Sequence, residues 1–291
     1  MAIYLKQFNT HSEYEQYING SGAILPNVSI CKTEGDVHYN PFVETRVVAK
    51  FNVTDASNPT QLCYNSAVSQ FSAIEIDGVA QPSVVSAYTF STTGEYTVKY
   101  TLKDPTSISG YTFYGCSSLT SINIPDNVTS IGGNAFTYCN SLTSIDIPSG
   151  VTSIGSNTFE SCSSLTSINI PSSVTYIGSG AFGGCSGLTS IDIPSGVTSI
   201  GSNTFSRCSG LTSIDIPDGV TRIGSYAFYK CRNLTNITVR ATTAPTVTNT
   251  TFQSVKTDGT LTVPSGSSGY DIWMQNADYY LGLYGWTKVE Q

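Results

Sequence analysis

The chain predicts a β-rich repeat solenoid, with parallel strands joined by short helical or 3₁₀ turns, behind a small N-terminal mainly-β domain. Three observations carry that prediction. Cys116, Cys139, Cys162, Cys185, Cys208 and Cys231 each follow the one before by 23 residues. The apolar columns keep the same beat: Leu119 to Leu234, Ile122 to Ile237, and Phe113 to Phe228. Finally, only 11% of the 291 residues are charged while 39% are hydrophobic, against roughly 25% charged in an average soluble protein. A core is therefore available, and the polar surface has to be made of Ser, Thr, Asn and Gly.

The repeat can be read element by element. Residues 139–161 and 185–207 differ at four of 23 positions, so one copy stands for all. In Leu142-Thr143-Ser144-Ile145-Asp146-Ile147, a period of two turns Ile145 and Ile147 inward beside Leu142 and leaves Ser144 and Asp146 outside. Pro148 ends the strand because it has no N–H for a ladder. After a turn at Ser149-Gly150, Val151 and Ile154 face inward from a second extended piece. Gly155 permits another turn. Ser156-Asn157-Thr158-Phe159 is expected as a capped helical or 3₁₀ turn that brings Phe159 and Cys162 to the core. One copy cannot order itself, because its few apolar side chains do not offset the conformational entropy of fixing its backbone. Stability must come from stacking identical columns.

A period between 20 and 29 residues with L-x-x-I-x-I is the leucine-rich-repeat pattern. The copies resemble the BspA-like leucine-rich-repeat family of bacterial surface proteins, whose consensus runs close to C-x-x-L-T-x-I-x-I-P-x-x-V-T-x-I-G-x-x-A-F-x-x. The match runs without a gap from Cys116 to Lys230, after a half repeat from Pro105 to Gly115. The resemblance implies a solenoid that binds other molecules by its surface, at the cell surface or outside the cell. It names no ligand.

The cysteine column suggests a metal ladder, a disulfide staple or a small buried side chain. Strands stacked about 4.8 Å apart would hold parallel Cβ atoms slightly too far apart for a disulfide. No C-x-x-C and no His occurs in the repeats, so no closed zinc shell forms locally. Buried free thiols are the expectation, with no cofactor and no metal.

The outward positions supply the candidate binding residues. Ser144, Ser167, Ser190 and Ser213 form one column; Asp146, Asn169, Asp192 and Asp215 form the next. Neighbouring carboxylates repel, and an intervening Asn relieves that, yet Asp192 and Asp215 are adjacent. Such a row of oxygens suits a carbohydrate, a calcium ion or a basic peptide, or it is simply a solvated sheet face copied with the repeat. Tyr176 and Arg222 replace Ser in the second extended piece, and both types are enriched in binding hot spots. Tyr226, Tyr229, Lys230 and Arg232 cluster in the last full copy, where contact with a terminal cap is the plainer explanation. Glycoside hydrolysis by paired carboxylates is disfavoured on a Ser-rich face with no aromatic platform.

Both ends change character. Residues 1–104 are expected as an N-terminal module, 105–240 as the solenoid, and 241–291 as a degenerate last repeat and C-terminal cap. In the module, Thr10-His11-Ser12-Glu13 fits a capping box before a short helix ending at Gly20. Residues 45–104 then alternate as β-strands of a sandwich-like unit. Charge supports the division: residues 1–104 hold six basic and ten acidic residues, and residues 116–230 only three and six. The junction falls at Lys103-Asp104-Pro105. The leader also resembles leaders of hypothetical proteins from gut anaerobes and their phages. Cys31 and His38 could form a nucleophile–base or metal pair, but no third partner is identifiable. At the other end Pro is missing after Val239, where Arg240 stands. Residues 270–286 carry both tryptophans and four tyrosines, enough to close an open solenoid end.

A net charge of −7 argues against a nucleic-acid partner. No apolar run approaches the roughly 18 residues of a membrane span, and the start does not read as a signal peptide. The sequence therefore predicts a monomeric, non-enzymatic recognition or adhesion protein for a protein or glycan partner. The runner-up is a structural or host-recognition component of a phage-like particle, which would place the chain in such a particle or in the cytoplasm.

Overall fold

The computed structural model describes residues 46–291, all within one compact unit. The expected helix after Thr10, and with it His11, Cys31 and His38, lies outside the described residues.

The described chain opens with β1 (Val47–Val53), β2 (Thr60–Gln61), β3 (Phe71–Ile76), β4 (Val79–Ala80), β5 (Ala87–Tyr88) and β6 (Gly94–Leu102). Valine, isoleucine and aromatic residues alternate in the long strands, which suits a sheet with one buried face. In β1, Val47, Ala49, Phe51 and Val53 are all buried while Lys50 and Asn52 are exposed. The solenoid follows with β7 (Ser107–Ile108), β8 (Leu119–Asn123), β9 (Ser130–Ile131) and β10 (Ser144–Ile145), and winds through about eight turns.

A sheet with strand order β10-β8-β1-β6-β3-β4 crosses the expected junction at Lys103-Asp104-Pro105. There β8 pairs β10 in parallel and β1 antiparallel. The residues before the repeats thus occupy the edge of the first turn, where another parallel turn would otherwise add.

Each turn has three sides. The first carries L-x-x-I-x-I, as in β8, β10, Ser213–Ile216 and Asn236–Val239. The second carries the short V-T-x-I strands, which stack from Ser153–Ile154 to Arg222–Ile223 in one parallel sheet. The third side, expected as a helical or 3₁₀ turn, is a pair of tight turns. Its amides reach across to the next turn instead of along a helix: Phe136 N–H donates to Thr158 O at 2.9 Å, and Phe159 N–H to Ala181 O at 2.8 Å. Two residues per turn take left-handed backbone to allow this, such as Asn157 at φ 55° and Ser161 at φ 60°. Turns approach so closely at the buried Gly178 that a Cβ there would lie 2.6 Å from the Ser156 amide nitrogen.

Three ladders fill and bind the interior. The phenylalanines from Phe113 to Phe252 stack with ring centroids 5.4–5.8 Å apart and planes within 15°. All six repeat cysteines are buried free thiols. From Cys139 onward each thiol donates to the Phe carbonyl of the turn before, at 3.0–3.2 Å. Each of these carbonyls also accepts the amide three residues on in its own turn, as Phe136 O does from Cys139 N–H. The thiol therefore adds a second bond that ties one turn to the next and leaves no polar group of its own unpaired. Threonine forms the third ladder: Thr143, Thr189, Thr212 and Thr235 each donate Oγ1 to the carbonyl one repeat earlier. Each of those carbonyls also accepts the amide of the same threonine, so the hydroxyl adds a second bond between turns that a short side chain can make from that position. This is a physical reason for the Ser/Thr-rich, ion-poor repeat.

Candidate functional site

The first-side columns are where the sequence puts them. Ser144, Asp146, Ser167, Asn169, Ser190, Asp192 and Ser213 are exposed, and Asp215 is half-buried. Parallel bridges join Asp146 to Asn169 and Asp192 to Asp215. Tyr176 and Arg222 stand on another side of the coil, in the second-side sheet, paired with Ser153 and Ser199. Tyr176 is exposed to 51%. The ten residues therefore do not converge on one site.

The adjacent carboxylates have a resident counter-ion that the sequence reading missed. Arg240 occupies the column that holds proline in other copies, and its Nε donates to Asp215 Oδ1 and Oδ2 at 3.0 and 3.1 Å. Its Nη2 also donates to Asp215. These bonds raise the Arg240 pKa above its ordinary value. The absent proline was the available signal. Asp192, Asp215, Asp218 and Arg240 line a shallow depression of about 550 Å³.

A second and larger depression, about 740 Å³, lies on the third side. Its floor is the turn containing Gly180, Gly183 and Gly184. In other turns these columns hold Asn157, Glu160 and Ser161, or Tyr226, Tyr229 and Lys230. Glycine in one copy therefore cuts a saddle between two side-chain walls. Asn157 and Glu160 form one wall; Asn203, Arg207, Tyr226, Tyr229 and Gln253 form the other. Tyr226 and Tyr229 meet edge to face at 5.7 Å, and Lys230 Nζ lies 4.9 Å from the Tyr229 ring centroid. The Lys230 contact, with Lys230, Arg207 and Arg232 charge nearby, lowers the Tyr229 pKa. These residues face solvent and make no ring contact with the tryptophans of the C-terminal segment. Towards the other end, Tyr64, Tyr111, Tyr114 and Tyr138 make a further surface cluster with neighbouring rings 5.4–6.2 Å apart.

Burial pushes the Cys185 and Cys231 thiols up to about 12, so they are protonated and unreactive at neutral pH. Among the described residues, no group of three or more His, Cys, Asp or Glu is placed to hold a metal ion. No described helix is long and apolar enough to cross a membrane.

The family "BspA type Leucine rich repeat region (6 copies)" matches residues 83–209 and 177–270, well over half of the chain. The chain belongs to this family. BspA-type proteins are commonly surface proteins that engage other proteins. Among solved structures, the chain is similar to a leucine-rich repeat protein from Bacteroides ovatus, at 27% identity and TM-score 0.42 over 62% of this chain and 50% of that one. A leucine rich cell surface protein from Faecalibacterium prausnitzii is 29% identical, with TM-score 0.41, over 62% and 56% of the two chains. The leucine-rich repeat protein of T. pallidum is 31% identical over 47% and 65%, with TM-score 0.40. The chain thus spans half to two thirds of these proteins' lengths. No curated protein matches it significantly.

Proposed function

We propose that this BspA-type protein is a non-catalytic recognition or adhesion protein, working as a monomer at the cell surface or outside the cell. It binds a protein or glycan partner through side chains displayed on the solenoid. The supporting observation is a division of labour within each turn. Buried positions keep the same Leu, Ile, Phe and Cys in every copy, and they build the coil. Solvent positions differ between copies in ways the coil does not need, among them Tyr176, Arg222 and Arg207. Family membership supports the location, and the raised thiol pKa values support binding over chemistry. The candidates on the first side are Ser144, Asp146, Ser167, Asn169, Ser190, Asp192, Ser213 and Asp215.

Glycan and extracellular-matrix protein arrays probed with the full chain test this reading. Saturable binding that falls when exposed side chains are changed supports it. Silence on both arrays, together with turnover in a broad hydrolase screen, overturns it.

A further inference from the structure

The third-side saddle has the features of a ligand site, and the first-side acids do not. Asp215 is already held by Arg240. Around the saddle, by contrast, the side chains of Asn157, Glu160, Asn203, Arg207 and Gln253 make no hydrogen bond or ion pair among the described residues. Lys230 and Arg232, beside them, also form no ion pair there. Donors and acceptors are thus left uncommitted on both walls of one groove.

We propose that this groove binds an acidic oligosaccharide, a chain of sugars bearing carboxylates; this rests on the recognition reading above and names its site and ligand class. Charge complementarity decides the ligand's sign. Every basic residue between Cys116 and Arg232 is Arg207, Arg222, Lys230 or Arg232, and three of those four surround Tyr229. In a protein of charge −7, Arg207 in the groove wall, with Lys230 and Arg232 next to it outside the lining, gives this side a local excess of positive charge. It stands opposite the single carboxylate Glu160, and guanidinium holds a ligand carboxylate with paired bonds. The neighbouring Tyr226 and Tyr229 rings offer flat apolar faces with polar ends, a fit for a pyranose ring. Glu160 and Asn157 on the opposite wall accept from and donate to hydroxyls, so a hydroxyl-rich ligand satisfies both sides. Apart from the two tyrosines and three glycines the lining is polar, which favours a hydroxyl-rich ligand over the apolar anchor of a protein partner.

Backbone conformation sets what a substitution costs here. Arg207, Tyr226 and Lys230 sit at φ 58–61°, where glycine or asparagine is at ease and a bulky side chain is strained. Gly184 stands in the column of Arg207 and Lys230, one turn before Arg207, and Gly180 in the column of Tyr226, two turns before it. Both columns are left-handed in every turn and hold bulky residues elsewhere too, such as Tyr111 and Tyr138 at φ 62°, so replacing one of them by glycine relieves strain and does not disturb the coil.

The test is calorimetric titration of the full chain with galacturonic acid oligomers, neutral gluco-oligomers, and a poly-glutamate peptide, at two salt concentrations. The uronate should bind, at least tenfold more tightly than the other two. Gly183→Tyr should abolish binding without lowering the Tm, because Tyr114 and Tyr229 occupy the same column in other turns. Arg207→Gly should weaken binding at least tenfold, with the Tm unchanged or raised. Asp192→Ala, on the first side, should bind as the parent does. Equal binding of the neutral oligomers refutes the acidic class, and equal binding of poly-glutamate reduces the site to a charge patch. If the uronate binds but both groove variants bind as the parent does, the site assignment fails while the recognition reading stands. No binding of any of the three oligomers overturns this proposal. The array experiment then judges the recognition reading separately.

Discussion

The two ends of the coil close the same columns by different means. At the N-terminal end, β1 runs antiparallel to β8 with a register shift between Lys50 and Phe51, and no further parallel turn can add beyond it. At the C-terminal end the parallel register persists through Thr260–Val263 and Thr287–Glu290 while the sequence motif decays. Ring geometry then converges. Inside the ladder the phenylalanine planes differ by at most 15°, whereas Tyr100 meets Phe113 at 76° and Trp273 meets Phe252 at 51°. A turned ring offers no face on which another copy can stack. The outer edges are blunted too, by the two-residue β4 at one end and by Lys288 and Glu290 at the other, as edge strands generally need. Ending a repeat array thus requires breaking the side-chain stack, and either strand direction will serve.

If the two closures are equivalent in that sense, removing either should be catastrophic, and the C-terminal one is simpler to remove. Truncation after Lys256 deletes Tyr270, Trp273, Leu281 and Trp286, all buried, and bares Phe252. The expected product is insoluble or lacks a cooperative thermal transition. A soluble fragment as stable as the parent would show that the segment closes nothing. Less drastic is Trp273→Ala. Trp273 is 1% exposed, packs on Phe252 and Tyr270, and donates Nε1–H to Pro245 O at 3.1 Å. Large aromatic truncations in a core cost about 3–5 kcal/mol, so denaturant melts should show a loss of that order.

Sequence made the middle of the molecule far more legible than its ends. The 23-residue beat fixes which of Leu142, Ile145, Val151, Ile154, Phe159 and Cys162 face inward, and all six are buried. The reason is that identical neighbours leave one consistent stacking. The direction of β1 was not legible, because alternation specifies a strand's faces and not its partner. The third side, expected as a helical or 3₁₀ turn, keeps i→i+3 bonds such as Cys139 N–H to Phe136 O but forms tight turns and no helix, because its Asn and Ser suit a helix cap and a left-handed turn alike. The saddle escaped notice because it is made by side chains that are missing at Gly180, Gly183 and Gly184. Arg240 was visible as a break in the proline column, but its partner Asp215 lies one repeat back and emerges only when the turns stack.

The thiol ladder allows the middle to be compared with the ends. Unfolded cysteines ionise near their ordinary pKa, whereas Cys185 and Cys231 in the fold ionise only at about 12. Between about pH 9 and 12 the unfolded state therefore binds fewer protons than the native state, and stability falls as pH rises. Below pH 9 these thiols contribute no slope. Each affected thiol adds up to about 1.4 kcal/mol per pH unit in that window, and Cys208 is raised in the same sense. Urea melts at pH 8 and 10.5 should show the loss, and Cys185→Ala should make it shallower. An unchanged slope would mean that this thiol does not contribute.

The smallest expected effect is the most discriminating between the ends. Tyr100 donates its hydroxyl to Leu62 O, and Tyr270 donates to Ala241 O, each at 2.7 Å. Each hydroxyl bonds a carbonyl of its own closing segment, and both rings are buried. Tyr100→Phe and Tyr270→Phe should each cost about 1–2 kcal/mol, since each leaves a buried carbonyl unpaired. The two sites are separated by six ring spacings of 5.4–5.8 Å along the phenylalanine stack, well beyond the roughly 10 Å within which substitutions usually couple. In a coil held by nearest-neighbour contacts the double variant should therefore lose the sum of the two, provided the chain still unfolds in one step. A loss short of the sum, with separate transitions for the two ends, would show that each closing segment unfolds on its own. A loss beyond the sum would mean that strain passes along the ladder from one closure to the other, which stacked independent turns do not permit.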